Sequence, residues 1–239
     1  MGKALYQHAE DELALINNVF KVIGVTEVEE GKKYIVNVCC PLWAYILPCK
    51  SITNGNNEYI VTNIVLNADG KTYDLHLTGP AINTGITLTV KRPYYFHGTI
   101  VLTNQELSSI QKNKNKYPMS YFYEVLKEVY DDELSMIEKR GQVRMFFLAE
   151  ANTEKWTTDC HYKNVVEPME RLAKLFVKHI HESHKFDDLK RYSITRLANF
   201  GNYDKNGQFS EIFTEQLSGV ELSFELAPKK DLSLCKDNC

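Results

Sequence analysis

The chain has 239 residues, 44% of them hydrophobic and 25% charged, proportions that exclude wholesale disorder and collagen-like or low-complexity architectures. Twenty-eight Lys and Arg against 31 Asp and Glu leave a net charge of −3, which argues against a generic nucleic-acid binder with a strongly basic surface. No apolar run reaches the ~18 residues of a membrane helix, so no membrane partner is expected; the greasiest stretch, Val38–Cys49, carries Pro41 and Pro48.

In chain order, Ala4–Asn17 reads as a short helix, with Leu5, Ala9, Leu13 and Ile16 near helical spacing. Lys33–Cys40 follows with Tyr34, Val36 and Val38 on one parity, the two-residue period of a half-buried strand. Tyr59–Leu66 and Lys71–Leu77 flank Asn67-Ala68-Asp69-Gly70, whose Asp-Gly step is the clearest hairpin signal in the chain. Ile86–Val90 and Tyr94–Leu102, split by Arg92-Pro93, complete five or six short strands over residues 20–102, the pattern of a small sandwich or barrel. Thr103, with Glu106 three residues on, begins a short helix that runs into an exposed lysine-rich linker at residues 112–116.

Beyond the linker the pattern mixes helix and strand. Tyr117–Glu124 admits either a strand or a helix start, and Val143–Leu148 reads as a strand. From about Asn164 to His184 runs the longest helix signal, with Val165, Met169, Leu172, Phe176 and Ile180 on one face. Thr157, Thr158 or Asp159 is expected to cap its entrance, and Pro168 to mark a kink or the true start. Tyr192–Phe200, a turn at Asp204-Lys205-Asn206-Gly207, and Phe209–Thr214 come next, then Gly219–Leu226 with Val220, Leu222, Phe224 and Leu226 alternating. The apolar face of that sheet needs a cover, and the Val165–Ile180 stripe is the natural one.

The expected class is therefore α+β. A β-rich sandwich or barrel domain with a leading helix occupies residues 1–111, and a linker follows at 112–116. A second domain at 117–228 has a mixed or antiparallel sheet packed on one long helix, and 229–239 form a flexible polar tail. Charge divides unevenly, with 11 basic and 10 acidic groups in residues 1–116 against 17 and 21 thereafter.

Motifs for chemistry are sparse. The sequence holds no G-x-S-x-G, P-loop, Rossmann glycine triplet or H-E-x-x-H. His181 and His184 are three residues apart and can share a metal, which raises the reading of a small metal-dependent hydrolase, with Asp187 or Asp188 in support. His179 is turned about 160° from His181, because two helical residues sweep ~200°. Imidazoles near a helix C-terminus also interact well with the dipole without any metal. Asp159-Cys160-His161 sets a thiol beside an imidazole, though catalytic pairs are usually assembled by the fold. Asp131-Asp132-Glu133 lacks the alternating spacing of a calcium loop. Lys112, Lys114 and Lys116, with the aromatic groups Trp43-Ala44-Tyr45 and Tyr94-Tyr95-Phe96, raise a nucleic-acid-binding alternative, with core or protein interface as the plainer role of the aromatics. The six cysteines are expected as thiols, small buried hydrophobes apart from Cys235 and Cys239 in the tail. No catalytic residue, metal or cofactor is expected.

Three stretches carry a resemblance: YPMSYFYE at 117–124, VRMFFLAEANTEKWTTDCHYKNVVEPMERLAKLF at 143–176, and LSGVELSFEL at 217–226. In that order they resemble neck and tail-completion proteins of tailed bacteriophages, in particular tail-terminator-like virion proteins of Bacteroidetes-infecting, crAss-like phages. The resemblance covers residues 117–228; the β-rich domain in front departs from simple terminator rings. It implies a structural virion protein rather than an enzyme, made in the host cytoplasm and built into the neck or tail. Its partners would be copies of itself in a closed ring and neighbouring portal, neck or tail ring proteins, with genomic DNA passing through without sequence-specific binding. Interface residues are expected at the hairpin tips, Asn67, Asp69 and Gly70 together with Asp204, Asn206 and Gly207, and at Tyr94, Tyr95 and Phe96. Each copy would bury a sheet edge against the next.

Overall fold

The computed structural model describes residues 4–39, 51–99, 105–106, 109–110, 116–123, 128–131, 138–151, 156–187, 191–203, 209–211 and 216–229. Helix α1 (Leu5–Ala14) buries Leu5, Ala9 and Leu13, the stripe its spacing predicts. The Gln7 side chain closes its first turn by accepting the Ala4 backbone N–H at 2.8 Å. Six strands follow: β1 (Val19–Glu29), β2 (Lys33–Cys39), β3 (Ser51–Asn54), β4 (Asn57–Leu66), β5 (Thr72–Thr78) and β6 (Thr87–Val90).

These six close into a barrel in the order β1-β2-β5-β4-β3-β6, every pair antiparallel. Closure is made by Val19–Lys21 of β1 against Thr87–Thr89 of β6. Register shifts between Val22 and Gly24 and between Val61 and Asn63 supply the bends a small barrel needs. Phe20, Val22, Tyr34, Val36, Val38, Ile52, Tyr59, Val61, Tyr73, Leu75, Leu77, Leu88 and Val90 are all buried. Alternation along each strand puts these residues on one face, so side chains fill the interior. Gly79 is needed where the chain turns past β4: a Cβ there would stand 2.7 Å from the Tyr59 ring and 3.0 Å from the Glu58 carbonyl.

The next strand, β7 (Tyr94–Gly98), leaves the barrel. It pairs in parallel with β8 (Met119–Tyr123), where the sequence grouping places it with the first half. With β9 (Glu128–Asp131), β10 (Glu138–Glu150), β11 (Tyr192–Leu197) and β14 (Leu217–Leu226) it builds a mixed sheet in the order β11-β14-β10-β8-β7, β9 pairing with one end of β10. A separate two-stranded ribbon joins β12 (Gly201–Tyr203) and β13 (Phe209–Glu211). The ambiguous Tyr117 stretch is strand from Met119, entered through a cis Tyr117–Pro118 peptide. Gly219 in β14 has φ 155°, and a Cβ there would lie 2.0 Å from the Phe147 carbonyl, so only glycine lets β10 and β14 approach here.

One face of this sheet carries Phe122, Val143, Met145, Phe147, Val220, Leu222, Phe224 and Leu226, all buried. It is covered by a helix that starts earlier than its apolar stripe suggests. Thr157 caps α2 (Thr158–His161), its hydroxyl accepting the Cys160 N–H. A π-helical turn at Tyr162–Val166 then leads into α3 (Glu167–Ser183). Pro168 has no N–H to continue the regular ladder, and the Glu167 N–H reaches back to the Tyr162 carbonyl instead. Val165, Met169, Leu172, Phe176 and Ile180 form the buried stripe, with Phe176 between Phe147 and Phe224.

Barrel, α1, α3 and sheet share one continuous hydrophobic core. Arg171 of α3 lies over the barrel's Tyr73 ring, and Lys185 donates to Glu12 of α1 at 2.8 Å. Glu12 is buried, and its second carboxylate oxygen meets no hydrogen-bond donor among the described residues. The opposite face of the sheet holds a second, aromatic cluster of Phe96, Tyr117, Met119, Tyr121, Phe146, Leu148, Phe200 and Leu217.

Several expectations are corrected. Lys116 is buried, so it is not part of an exposed linker. Lys229, placed by sequence in a flexible tail, donates its backbone N–H to the Lys185 carbonyl. Cys39 and Cys160 are exposed thiols rather than buried hydrophobes, because Cys39 falls on the outward parity of β2 and Cys160 on the open side of α2.

Candidate functional site

Each expected interface region was built from a different part of the fold. The β4–β5 turn is rigid by its own chemistry. Asp69 Oδ1 accepts the backbone N–H groups of Lys71 and Thr72 at 2.8 and 2.9 Å, and Oδ2 accepts the Thr72 hydroxyl. Those bonds, led by the Lys71 amide, hold the Asp69 carboxyl below the usual carboxylate range. Asn67 donates to both Thr72 and Asp74, and with Asn37 it lowers the Asp74 carboxyl too. Gly70, at φ 65°, faces open space. The tip is a stiff, water-facing knuckle.

Tyr94, Tyr95 and Phe96 divide across β7. Tyr94 donates its hydroxyl to Glu106 at 2.7 Å, and this bond, with burial and the nearby charge, pushes the phenol up to about 12. Tyr95 donates to the Tyr6 carbonyl on α1, and Tyr6 stacks on His97 at 3.7 Å. Phe96 is buried and stacked on Tyr121 at 4.9 Å, so it belongs to the second core and not to the surface. The β7 end of the sheet is thus tied to α1. Asp204, Asn206 and Gly207 lie outside the described residues, as do Trp43, Tyr45, Thr103, Lys112, Lys114, Asp132, Glu133, Asp188, Cys235 and Cys239.

The histidines do not share one helix face. α3 ends at Ser183, and His184 turns left-handed at φ 54°, which takes it off the helical register of His181. Among the described residues, no three His, Cys, Asp or Glu side chains gather as a metal cluster would require. Cys160 and His161 are consecutive on the short α2 helix; burial lowers the His161 imidazole, and its Nε2 has no hydrogen-bond partner among the described residues. The three lysines of the nucleic-acid alternative lose Lys116 to burial.

The remaining candidate is the far end of the sheet. β11 pairs with β14 along its whole length, from Tyr192 opposite Phe224 to Leu197 opposite Gly219. On its outer side no described strand follows. Six residues carry no proline and no bulge, and Tyr192, Ser193, Thr195 and Arg196 are exposed. Such an edge offers a row of backbone donors and acceptors to any incoming strand. Natural edges are commonly guarded by charge, and β11 has one charged side chain, Arg196. Arg196 shares a parity with Tyr192 and Ile194, and so lies on the α3 side of the sheet. There its Nε donates to Glu170 at 2.9 Å, and its guanidinium lies 5.3 Å from the Tyr162 ring centre. Glu170 also takes Lys174 at 2.7 Å; burial raises its carboxyl, and the two cations outweigh that and lower it. The charge that would guard the edge is held against the helix.

Sequence reasoning placed β11 within a strand but missed this edge, since nothing local says which strand ends a sheet. The signal that was present is Arg196 in a run otherwise fit for pairing, together with Glu170 on the polar flank of the long helix. No protein-family model, curated protein or solved structure matches the chain.

Proposed function

We propose that the chain is a structural virion protein, a ring-forming subunit of the neck or tail of a tailed phage that acts through shape and catalyses no reaction. The observation that carries this reading is the β11 edge, on whose outer side no described strand follows and whose one charged side chain is held against the helix. Repetition about an axis gives such an edge a use: each copy accepts a strand from its neighbour, in a head-to-tail contact that closes by rotation. The phage-like stretches at 117–124, 143–176 and 217–226 supply β8, β10 from Val143 onward with the first part of the long helix, and β14, the strand on which β11 is paired. The stiff Asn67–Gly70 knuckle on the barrel suits contact with a ring above or below. DNA would pass the ring without specific binding, in keeping with the chain's net charge of −3.

The test is assembly. Electron microscopy of the purified protein, alone and mixed with the products of adjacent genes, should show closed rings. Ile194→Pro and Thr195→Pro sample the two directions in which successive strand N–H groups point, so one deletes a donor facing β14 and the other a donor facing outward. The variant that keeps a wild-type circular dichroism spectrum should fail to form rings. Particles and rings that never incorporate the wild-type protein would overturn the reading.

A further inference from the structure

On the ring reading above, β11 must accept a strand although its fifth residue is an arginine on the helix-facing side. A charge pointing inward on an edge strand normally keeps the edge free, because a strand laid beside it would bury an unpaired cation. We propose that Glu170 is the positioning residue of this edge: its carboxylate neutralises Arg196 and thereby lets a strand from a second copy cover it.

The geometry fits a pair prepared for burial. Glu170 is already mostly buried, its side chain 14% exposed, while Arg196 is 58% exposed on the open flank. Both carboxylate oxygens are used, Oε2 by Arg196 and Oε1 by Lys174. The Tyr162 ring receives the guanidinium face, which also favours a cation that loses water. Covering an ion pair that is hydrogen-bonded in this way is tolerated, whereas covering a lone guanidinium is not. Glu170 is fixed by α3, whose apolar stripe anchors it in the common core, so the pair is set before a second copy arrives. The same contact orders β11 against the helix and fixes the face it presents.

Four proteins decide the matter: wild type, Glu170→Gln, Arg196→Thr and the double variant. Each is followed by sedimentation velocity over a concentration series, alone and with the products of adjacent genes, and by thermal melting. Gln keeps a carbonyl acceptor but removes the charge. Glu170→Gln should weaken association at least tenfold. Arg196→Thr should associate as well as wild type, and the double variant should recover association because no cation is left to bury. A merely structural role for Glu170 would lower the melting temperature without rescue by Arg196→Thr. Association of Glu170→Gln at wild-type strength, or a double variant no better than Glu170→Gln, would overturn this inference and leave the ring reading standing. A wild-type protein that stays a single protomer under all these conditions would overturn the ring reading and this inference with it.

Discussion

The barrel and the second sheet solve the same problem in opposite ways. The barrel strands bury alternate residues and the central strands of the second sheet are buried on both faces, but both must deal with the backbone groups of outermost strands. The barrel joins β1 to β6 and so has no outermost strand. The second sheet has two outermost strands, β7, which is tied to α1 through Tyr95, and β11, on whose outer side no described strand follows. A closed element leaves no edge to pair, whereas an open one keeps backbone groups that another strand can pair with. On the proposed ring reading, the open sheet is the part that associates.

Substitutions sharpen that contrast, beginning with the most damaging. Gly219→Ala would place a methyl group 2.0 Å from the Phe147 carbonyl and force β10 from β14. The expected cost exceeds about 4 kcal/mol, in the range reserved for severe backbone conflict, and should appear as a large fall in melting temperature. Phe176→Ala empties the contact between helix and sheet. It should cost about 3–5 kcal/mol in urea unfolding, typical of a buried aromatic. Lys185→Ala leaves the Glu12 carboxylate buried without its donor, an expected loss of about 1–3 kcal/mol by the same measurement.

The barrel knuckle gives a smaller, pH-dependent effect. The folded state holds Asp69 below its unfolded value near 3.9, so its contribution is complete above that pH. It is lost as pH falls through the lowered folded value. Thermal melts of Asp69→Asn between pH 2 and 5 should therefore show a shallower acid slope than wild type. Arg144→Ala, which removes a bond to Glu221 at 2.6 Å from an arginine half exposed on the sheet's outer face, should cost less than about 1 kcal/mol. A large loss there would show that Arg144 matters through its place over the Tyr123 and Phe146 rings rather than through the ion pair.

How far the sequence shows all this depends on whether the information is local. Parity along β2 and the Asp-Gly turn before β5 are local, and both elements stand where alternation and turn chemistry put them. The Val165–Ile180 stripe is local as well. Closure of the barrel is not, because alternation names a face and never a neighbour. β7 illustrates the limit: Tyr94–Gly98 follows barrel strands in the chain, but its aromatics have better partners in Tyr121 and the second core. The π-helical turn escaped because the apolar spacing continues through it, although Pro168 marked the place. The candidate edge was the least legible feature, since it depends on Arg196 finding Glu170, twenty-six residues earlier and on another element.

Amide hydrogen exchange along β11, compared between the free protomer and the assembled ring, tests the central claim most directly. The account predicts that alternate amides of residues 192–197 exchange freely in the protomer and become protected on assembly, while the barrel strands stay unchanged. Assembly that leaves β11 exchanging as before and protects a different surface would contradict it.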